Sequence, residues 1–161
     1  MTSRKLPFHG RCFVCGPDNS LGIQFQEVDG RIFATARFND EHQGPPKYTH
    51  GGSSAAVLDE AMGTAVWNAG MQVVAVHLAV DYRKPIPLGE LVTVHAWIKE
   101  RDERRVHTVG EIRLAGDIIA VSARGIFVEA PQFFTNADNF QVGRMNERMK
   151  DESGKPKVGD A

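Results

Sequence analysis

Hydrophobic positions along the chain follow two periods, and the changes between them mark out the elements. Residues 21–28 (LGIQFQEV) and 31–38 (RIFATARF) alternate apolar and polar side chains, as half-buried strands do. Asp29-Gly30 between them is a two-residue hairpin signal. A loop, NDEHQGPPKYTH, follows, and its Gly44-Pro45-Pro46 run excludes regular structure. From His50-Gly51-Gly52 to about Ala69 the period lengthens: Ala55, Leu58, Met62, Ala65 and Val66 recur at helical spacing, and Gly70 suits the stop. Only Asp59 and Glu60 carry charge in this segment, so the helix is expected to be enclosed rather than laid on a surface. The period then returns to two. QVVAVHLAVDYR (72–83) sets Val74, Val76, Leu78, Val80 and Tyr82 on one face, and Pro85-Ile86-Pro87-Leu88-Gly89 ends it. Three more strands, 90–100, 104–115 and 117–129, are joined by tight turns at Arg101-Asp102-Glu103 and Ala115-Gly116-Asp117.

The order β-β-α-β-β-β-β describes an α+β domain: an antiparallel six-stranded sheet wrapped around one long central helix, its outer faces seeking a partner subunit. Residues 1–20, rich in turn formers, are expected to be an irregular N-terminal segment, residues 21–130 the domain, and residues 131–161 a C-terminal extension, partly disordered at its polar end DESGKPKVGDA.

Composition narrows the partners. The 161 residues suit one domain, and 19 Lys and Arg against 20 Asp and Glu leave a formal charge of -1. That balance removes the electrostatic case for nucleic acid or an anionic membrane surface. No apolar run is long enough to span a bilayer, and the start, MTSRKLPFHGR, lacks the apolar stretch of a secretory signal. Cys12 and Cys15 cannot form a disulfide framework. The expectation is a cytoplasmic protein acting on something small.

The helix holds the candidate chemistry. Asp59 lies in the stripe Gly52, Ala56, Asp59, Gly63, Val66, where small neighbours leave room for a ligand to approach. A structural ion pair at Asp59 or Glu60 is the competing reading. His50-Gly51-Gly52 opens the helix, where the first amides lack intrahelical acceptors and the absence of Cβ atoms admits a ligand oxygen. Such donors polarise carbonyls. Asp59 follows Gly51 by eight residues, about 12 Å along a helix axis at roughly 1.5 Å per residue. A carboxylate cannot bridge that distance. If both groups act on one substrate, they come from different chains of a symmetric oligomer.

The run HQGPPKYTHGGSSAAVLDEAMGTAVW, with VAVHLAVDYRKPIPLGE, VSARGIFVEA and the opening CFVCGPDNSLGIQF, resembles the hotdog-fold acyl-CoA thioesterases, especially the phenylacetate-degradation-type branch. The resemblance covers roughly residues 12–129. It implies a hotdog fold and a thioester hydrolase that turns a small or medium acyl- or aryl-CoA into free acid and coenzyme A. It implies no cofactor, and a homodimer or dimer-of-dimers tetramer with sites between subunits. It assigns the thioester oxygen to the Gly51 amide, the shaping of that turn to His50 and the catalytic carboxylate to Asp59, as nucleophile or general base. Gln43, in the loop before, helps polarise the carbonyl, and Arg83 and Lys84 meet coenzyme A phosphates. Two family hydroxyls are missing: Gly63 replaces one, with Thr64 next door, and Ala75 the other. His77, on the face of Ala75 by strand period, is the substitute. Gly52, Gly63, Thr64, His77, Arg83 and Lys84 are thus the expected substrate contacts.

The missing hydroxyls motivate an alternative, a non-catalytic acyl-CoA binding or sensing protein on the same fold. Hydratase chemistry is disfavoured because no paired Asp and His serves it. Cys12-x-x-Cys15 with His9 suggests zinc, but a structural site takes four ligands and no second pair exists, so no metal is expected. His95 and His107 read as hydrogen-bonded sheet residues, Trp67 and Trp97 as packing.

Overall fold

The computed structural model describes residues 3–134. Its elements are β1 (Ser3–Lys5), β2 (Gln26–Val28), β3 (Arg31–Arg37), α1 (Gly51–Asn68), β4 (Val73–Tyr82), β5 (Leu91–Arg101), β6 (Arg105–Leu114) and β7 (Ile118–Glu129), with short 3₁₀ turns at Asp40–His42 and Pro131–Phe134. The strands form one antiparallel sheet in the order β1-β2-β3-β5-β6-β7-β4.

The turns follow their sequences. Asp29 and Gly30 both take positive φ (48° and 80°), the left-handed pair that a two-residue hairpin between right-twisted strands requires. Gly70, at φ 87°, stops α1. Helix α1 packs across β3, β5, β6, β7 and β4, burying Val57, Leu58, Ala61, Met62, Ala65 and Val66. The sheet makes room for it: a Cβ on Gly110 would lie 3.1 Å from Leu58 and 3.2 Å from Met62. The architecture is the expected helix in a curved antiparallel sheet.

Three details differ from expectation. The sheet has seven strands, not six, because Ser3–Lys5, in the segment expected to be irregular, pairs with Gln26–Val28. Residues 21–25 are not strand; Gly22 turns at φ 47°, while Ile23 and Phe25 are still buried. The third difference is a bulge in β4. Ala75 pairs with Phe127, but His77 pairs with the adjacent Ile126, leaving Val76 as the extra residue. Directly paired residues share a face and successive residues alternate, so the bulge reverses the strand's sides. Val74 therefore leaves the face shared by Leu78, Val80 and Tyr82, and His77 leaves that of Ala75. Alternation alone cannot register an inserted residue.

Strand β4 is the exposed edge, with Val76 and Tyr82 each 56 % and Leu78 36 % accessible. The expectation of disorder near the C-terminus falls on residues 135–161, outside those described. No helix among the described residues is long and apolar enough to cross a membrane.

Candidate active site

His50 caps α1. Its backbone is extended (φ -64°, ψ 134°), its Nδ1 accepts the Gly52 N–H at 2.9 Å, and its carbonyl accepts the N–H groups of Ser53 and Ser54 at 3.0 and 3.4 Å. The Gly51 N–H donates to no acceptor among the described residues. Capping thus satisfies the other first-turn amides and leaves one donor open. Tyr82 secures the same residue from the sheet, its O–H donating to the Gly51 carbonyl at 2.9 Å. Its ring lies 3.2 Å from where a Gly51 Cβ would stand, so the glycine makes room for the tyrosine as well as for a ligand. Sequence reasoning placed Tyr82 on a packing face and missed this role.

The loop before the cap is held from below by His42, which sequence reasoning also passed over. His42 is buried, its Nδ1 accepts the Asn39 N–H at 3.0 Å, its Nε2 meets Ser20 Oγ at 3.0 Å, and its carbonyl accepts the His50 N–H at 2.7 Å. Burial pushes its pKa below the ordinary histidine value. The signal available in the sequence was Asn39 three residues before His42, a reciprocal capping pattern. Gln43 follows, exposed and bridged to Thr49; its Oε1 accepts the Lys47 N–H at 3.2 Å. Gly44 packs against His50, a Cβ there falling 2.8 Å from His50 Cα. Gln43, His50 and Gly51 therefore lie together at the start of α1.

Asp59 is partly buried and has no hydrogen-bond or ion-pair partner among the described residues. Burial, and then the charge of Glu60, raise its pKa above the usual carboxylate value. One turn on, Gly63 is bordered by the Phe127 ring, 3.4 Å from where its Cβ would be. Glu60 is opposite in every respect. Burial would raise it, but the hydrogen bond and charge of His9, 2.8 Å away, and the thiols of Cys15 and Cys12 bring it below the usual value. The two readings of the helix carboxylates are thus divided between them: Glu60 is the bonded group, Asp59 the unpartnered one.

Other expected contacts separate. Thr64 follows Asp59 by five residues, about 140° around a helix of 3.6 residues per turn, so it does not share the Asp59 stripe. Its hydroxyl is buried without a partner among the described residues. His77 stands on the side of β4 opposite Ala75 and borders a groove of about 300 Å³ with Ala79, His107, Arg124 and Ile126, away from α1. Neither residue replaces the missing hydroxyls. The amides of Arg83 and Lys84 both donate to the Ala120 carbonyl (2.8 and 3.0 Å), and their exposed side chains form no ion pair among the described residues. Directly after Tyr82 in sequence, they follow the strand that contacts Gly51. His95 bonds Thr93 Oγ1 at 3.0 Å and His107 meets Asp102 at 3.3 Å, as sheet residues. Trp67 packs edge-on against Phe134, and Arg31 stacks over Trp97.

Comparison with known proteins places this geometry. Residues 47–120, from the loop through α1 to β7, match the family model described as the thioesterase superfamily. An acyl-coenzyme A thioesterase of Xenopus laevis, THEM4, is 36 % identical over 89 residues, 54 % of this chain and 40 % of that protein. A crystallised thioesterase superfamily protein superposes with a TM-score of 0.71 at 34 % identity, covering 74 % of this chain and 60 % of its own. A hypothetical thioesterase from Streptococcus pneumoniae, solved with coenzyme A, has a TM-score of 0.63 at 16 % identity, covering 67 % and 85 %. The chain thus spans about half the length, or less, of the curated relatives it matches.

Proposed function

We propose that the chain is a hotdog-fold member of the thioesterase superfamily and that it hydrolyses a small or medium acyl- or aryl-CoA thioester to the free acid and coenzyme A. The observation that carries this reading is a pair of groups on α1 that are unfilled among the described residues: the Gly51 N–H without an acceptor and the Asp59 carboxylate without a donor. The amide is suited to the oxygen of a thioester carbonyl, whose negative charge grows as the carbon becomes tetrahedral. The carboxylate, made more basic by burial, either takes a proton from water attacking that carbon or attacks it directly. The carbon–sulfur bond breaks, the carbon gains a water oxygen, and coenzyme A leaves with its sulfur protonated.

Both groups lie on one helix about 12 Å apart at roughly 1.5 Å per residue, so one substrate carbon meets Gly51 of one copy and Asp59 of another. The active species is therefore a homodimer, or a tetramer built from two. The exposed edge strand β4, carrying Val76, Leu78 and Tyr82, suits such an interface. Gln43 supports the carbonyl from its place beside His50. Gly52 and Gly63 give close access along the helix, and Arg83 and Lys84 take coenzyme A phosphates.

Thiol release from aryl, short-chain and long-chain CoA esters, by the parent protein and by Asp59→Asn, tests the reading. Turnover in the parent and its loss in the variant is the expected result. Undiminished turnover in the variant removes Asp59 from its role. Tight acyl-CoA binding with no turnover of any ester favours a sensing protein, which the absent hydroxyls beside Asp59 would suit.

A further inference from the structure

About 100° around α1 from Asp59, three side chains with metal-ligating atoms meet and a fourth lies close by. Three of the four come from the loop between β1 and β2, at the regular spacing His9, Cys12, Cys15. The loop is wound tightly: the Cys12 N–H donates to the His9 carbonyl at 2.9 Å and the Gly16 N–H to the Cys12 carbonyl at 2.8 Å. The turn requires Gly16, since a Cβ there would lie 2.5 Å from the Cys12 carbonyl oxygen. Its amides are aimed at the sulfurs. Cys12 Sγ accepts the N–H groups of Val14 and Cys15, each at 3.4 Å, and Cys15 Sγ accepts the His9 N–H at 3.3 Å. Amide donors directed at sulfur favour the thiolate, the form in which cysteine binds a metal, while burial pushes the Cys15 thiol up in the metal-free state.

The remaining group comes from the helix. Glu60 Oε1 lies 2.8 Å from His9 Nδ1, and both thiols help to lower the carboxylate's pKa. His9 Nδ1, Cys15 Sγ and a Glu60 oxygen all lie within 4.8 Å of one another. Ligand atoms around tetrahedral zinc, at about 2.0–2.3 Å from the metal, are separated by roughly 3.3–3.8 Å, so His9 and Glu60 part slightly from 2.8 Å and the other separations, within 4.8 Å, adjust to match. Cys12, whose Sγ accepts the Cys15 N–H at 3.4 Å, lies outside that group of three and would swing in to complete four. The side chains of His9 and Glu60 are largely enclosed and Cys15 is buried, which suits a closed structural site rather than one holding water. The spacing of the cysteines lacked a second pair; the missing ligand sits on α1, far along the chain, where only the fold brings it near.

We propose that His9, Cys12, Cys15 and Glu60 bind a zinc ion that ties the N-terminal loop to α1. Binding releases the protons of both thiols to solvent and converts a set of hydrogen bonds into bonds to the metal. The anchored residue, Glu60, is the immediate neighbour of Asp59, so the ion fixes the helix about 100° around from the proposed chemistry. The proposal is independent of the reaction, and its test does not use turnover.

The full chain, purified without chelator, is analysed for bound metal and then titrated with Zn²⁺ against a chromophoric chelator and with Co²⁺ by absorption. The expected result is stoichiometric zinc, and a Co²⁺ form with thiolate-to-metal charge transfer and the visible bands of a tetrahedral site. Cys12→Ser with Cys15→Ser abolishes both signals. Glu60→Gln keeps the thiols and so guards against a cysteine variant that fails to fold; it weakens zinc by at least about tenfold. Folded parent protein that takes up no zinc and gives no such cobalt bands overturns the proposal. So does an unchanged zinc affinity in Glu60→Gln, which removes the helix ligand on which the site depends.

Discussion

Asp59 and Glu60 are neighbours in sequence, on one helix, with the same functional group, yet the fold treats them in opposite ways. Glu60 turns to the N-terminal loop and meets His9 and two thiols, and its pKa falls below the carboxylate norm despite burial. Asp59 turns to the small-residue stripe, finds no donor among the described residues, and its pKa rises. A step of about 100° around a helix separates a bonded group from an unpartnered one. Leaving a carboxylate partly buried and unpartnered works against stability, and such sites are where chemistry is to be sought. Amphipathic helices usually have one apolar and one polar face; this one has a bonded acid and, among the described residues, an unpartnered one.

The sharpest way to break that contrast is to remove each carboxylate in turn. Asp59→Asn is expected to lower kcat by about 10²–10⁴-fold, the usual contribution of a positioned acid or base. The same change relieves an unpartnered charge, so Tm at neutral pH should hold or rise; a fall in Tm together with retained turnover would make Asp59 the structural residue. Gly51→Pro is next. Proline is tolerated at the first helical position and fits the extended backbone of His50, but it removes the open N–H. A loss of about 10²–10³-fold in kcat is expected, as for one oxyanion donor. Gly51→Ala separates donor from space, because it keeps the amide and only crowds the Tyr82 ring at 3.2 Å; it should lose less than the proline variant.

Glu60→Gln should show the reverse balance. Replacing the charged acceptor of His9 by a neutral amide costs about 1–3 kcal/mol, read as a lower Tm, with a larger effect on stability than on kcat. Should kcat collapse while Tm stays, the two carboxylates have been assigned the wrong way round. The smallest effect belongs to Tyr82→Phe, which removes the hydrogen bond to the Gly51 carbonyl. About 0.5–1.5 kcal/mol of local stability is at stake, with a few-fold rise in KM or fall in kcat.

How much of this was legible in the sequence follows from which interactions are local. The hairpin at Asp29-Gly30, the helix from Gly51 and the later strands are written in short-range pattern, and the structure has them within a residue or two. The cap by His50 and the open amide of Gly51 are also local. The bulge at Val76 is not, because it depends on how β4 registers against β7, and it moved His77 to the other face. Thr64 was read as adjacent to the missing hydroxyl when helix geometry turns it well around from Asp59. Tyr82 and His42 were missed because their partners, the Gly51 carbonyl and the His50 amide, are brought to them by the fold. The different surroundings of Asp59 and Glu60 were invisible for the same reason: His9, whose side chain bonds Glu60, lies 51 residues earlier.

The central claim is that one active site takes Gly51 from one chain and Asp59 from another. Coexpressing Gly51→Pro and Asp59→Asn chains under different tags, and measuring thiol release from the mixed oligomers, tests it directly. Each variant alone is nearly inactive. In a symmetric dimer with a random mixture, half the assemblies are mixed and each holds one intact site of two, so about a quarter of parental activity should return. Mixed assemblies that form but recover nothing would contradict the account, placing both groups of each site on a single chain.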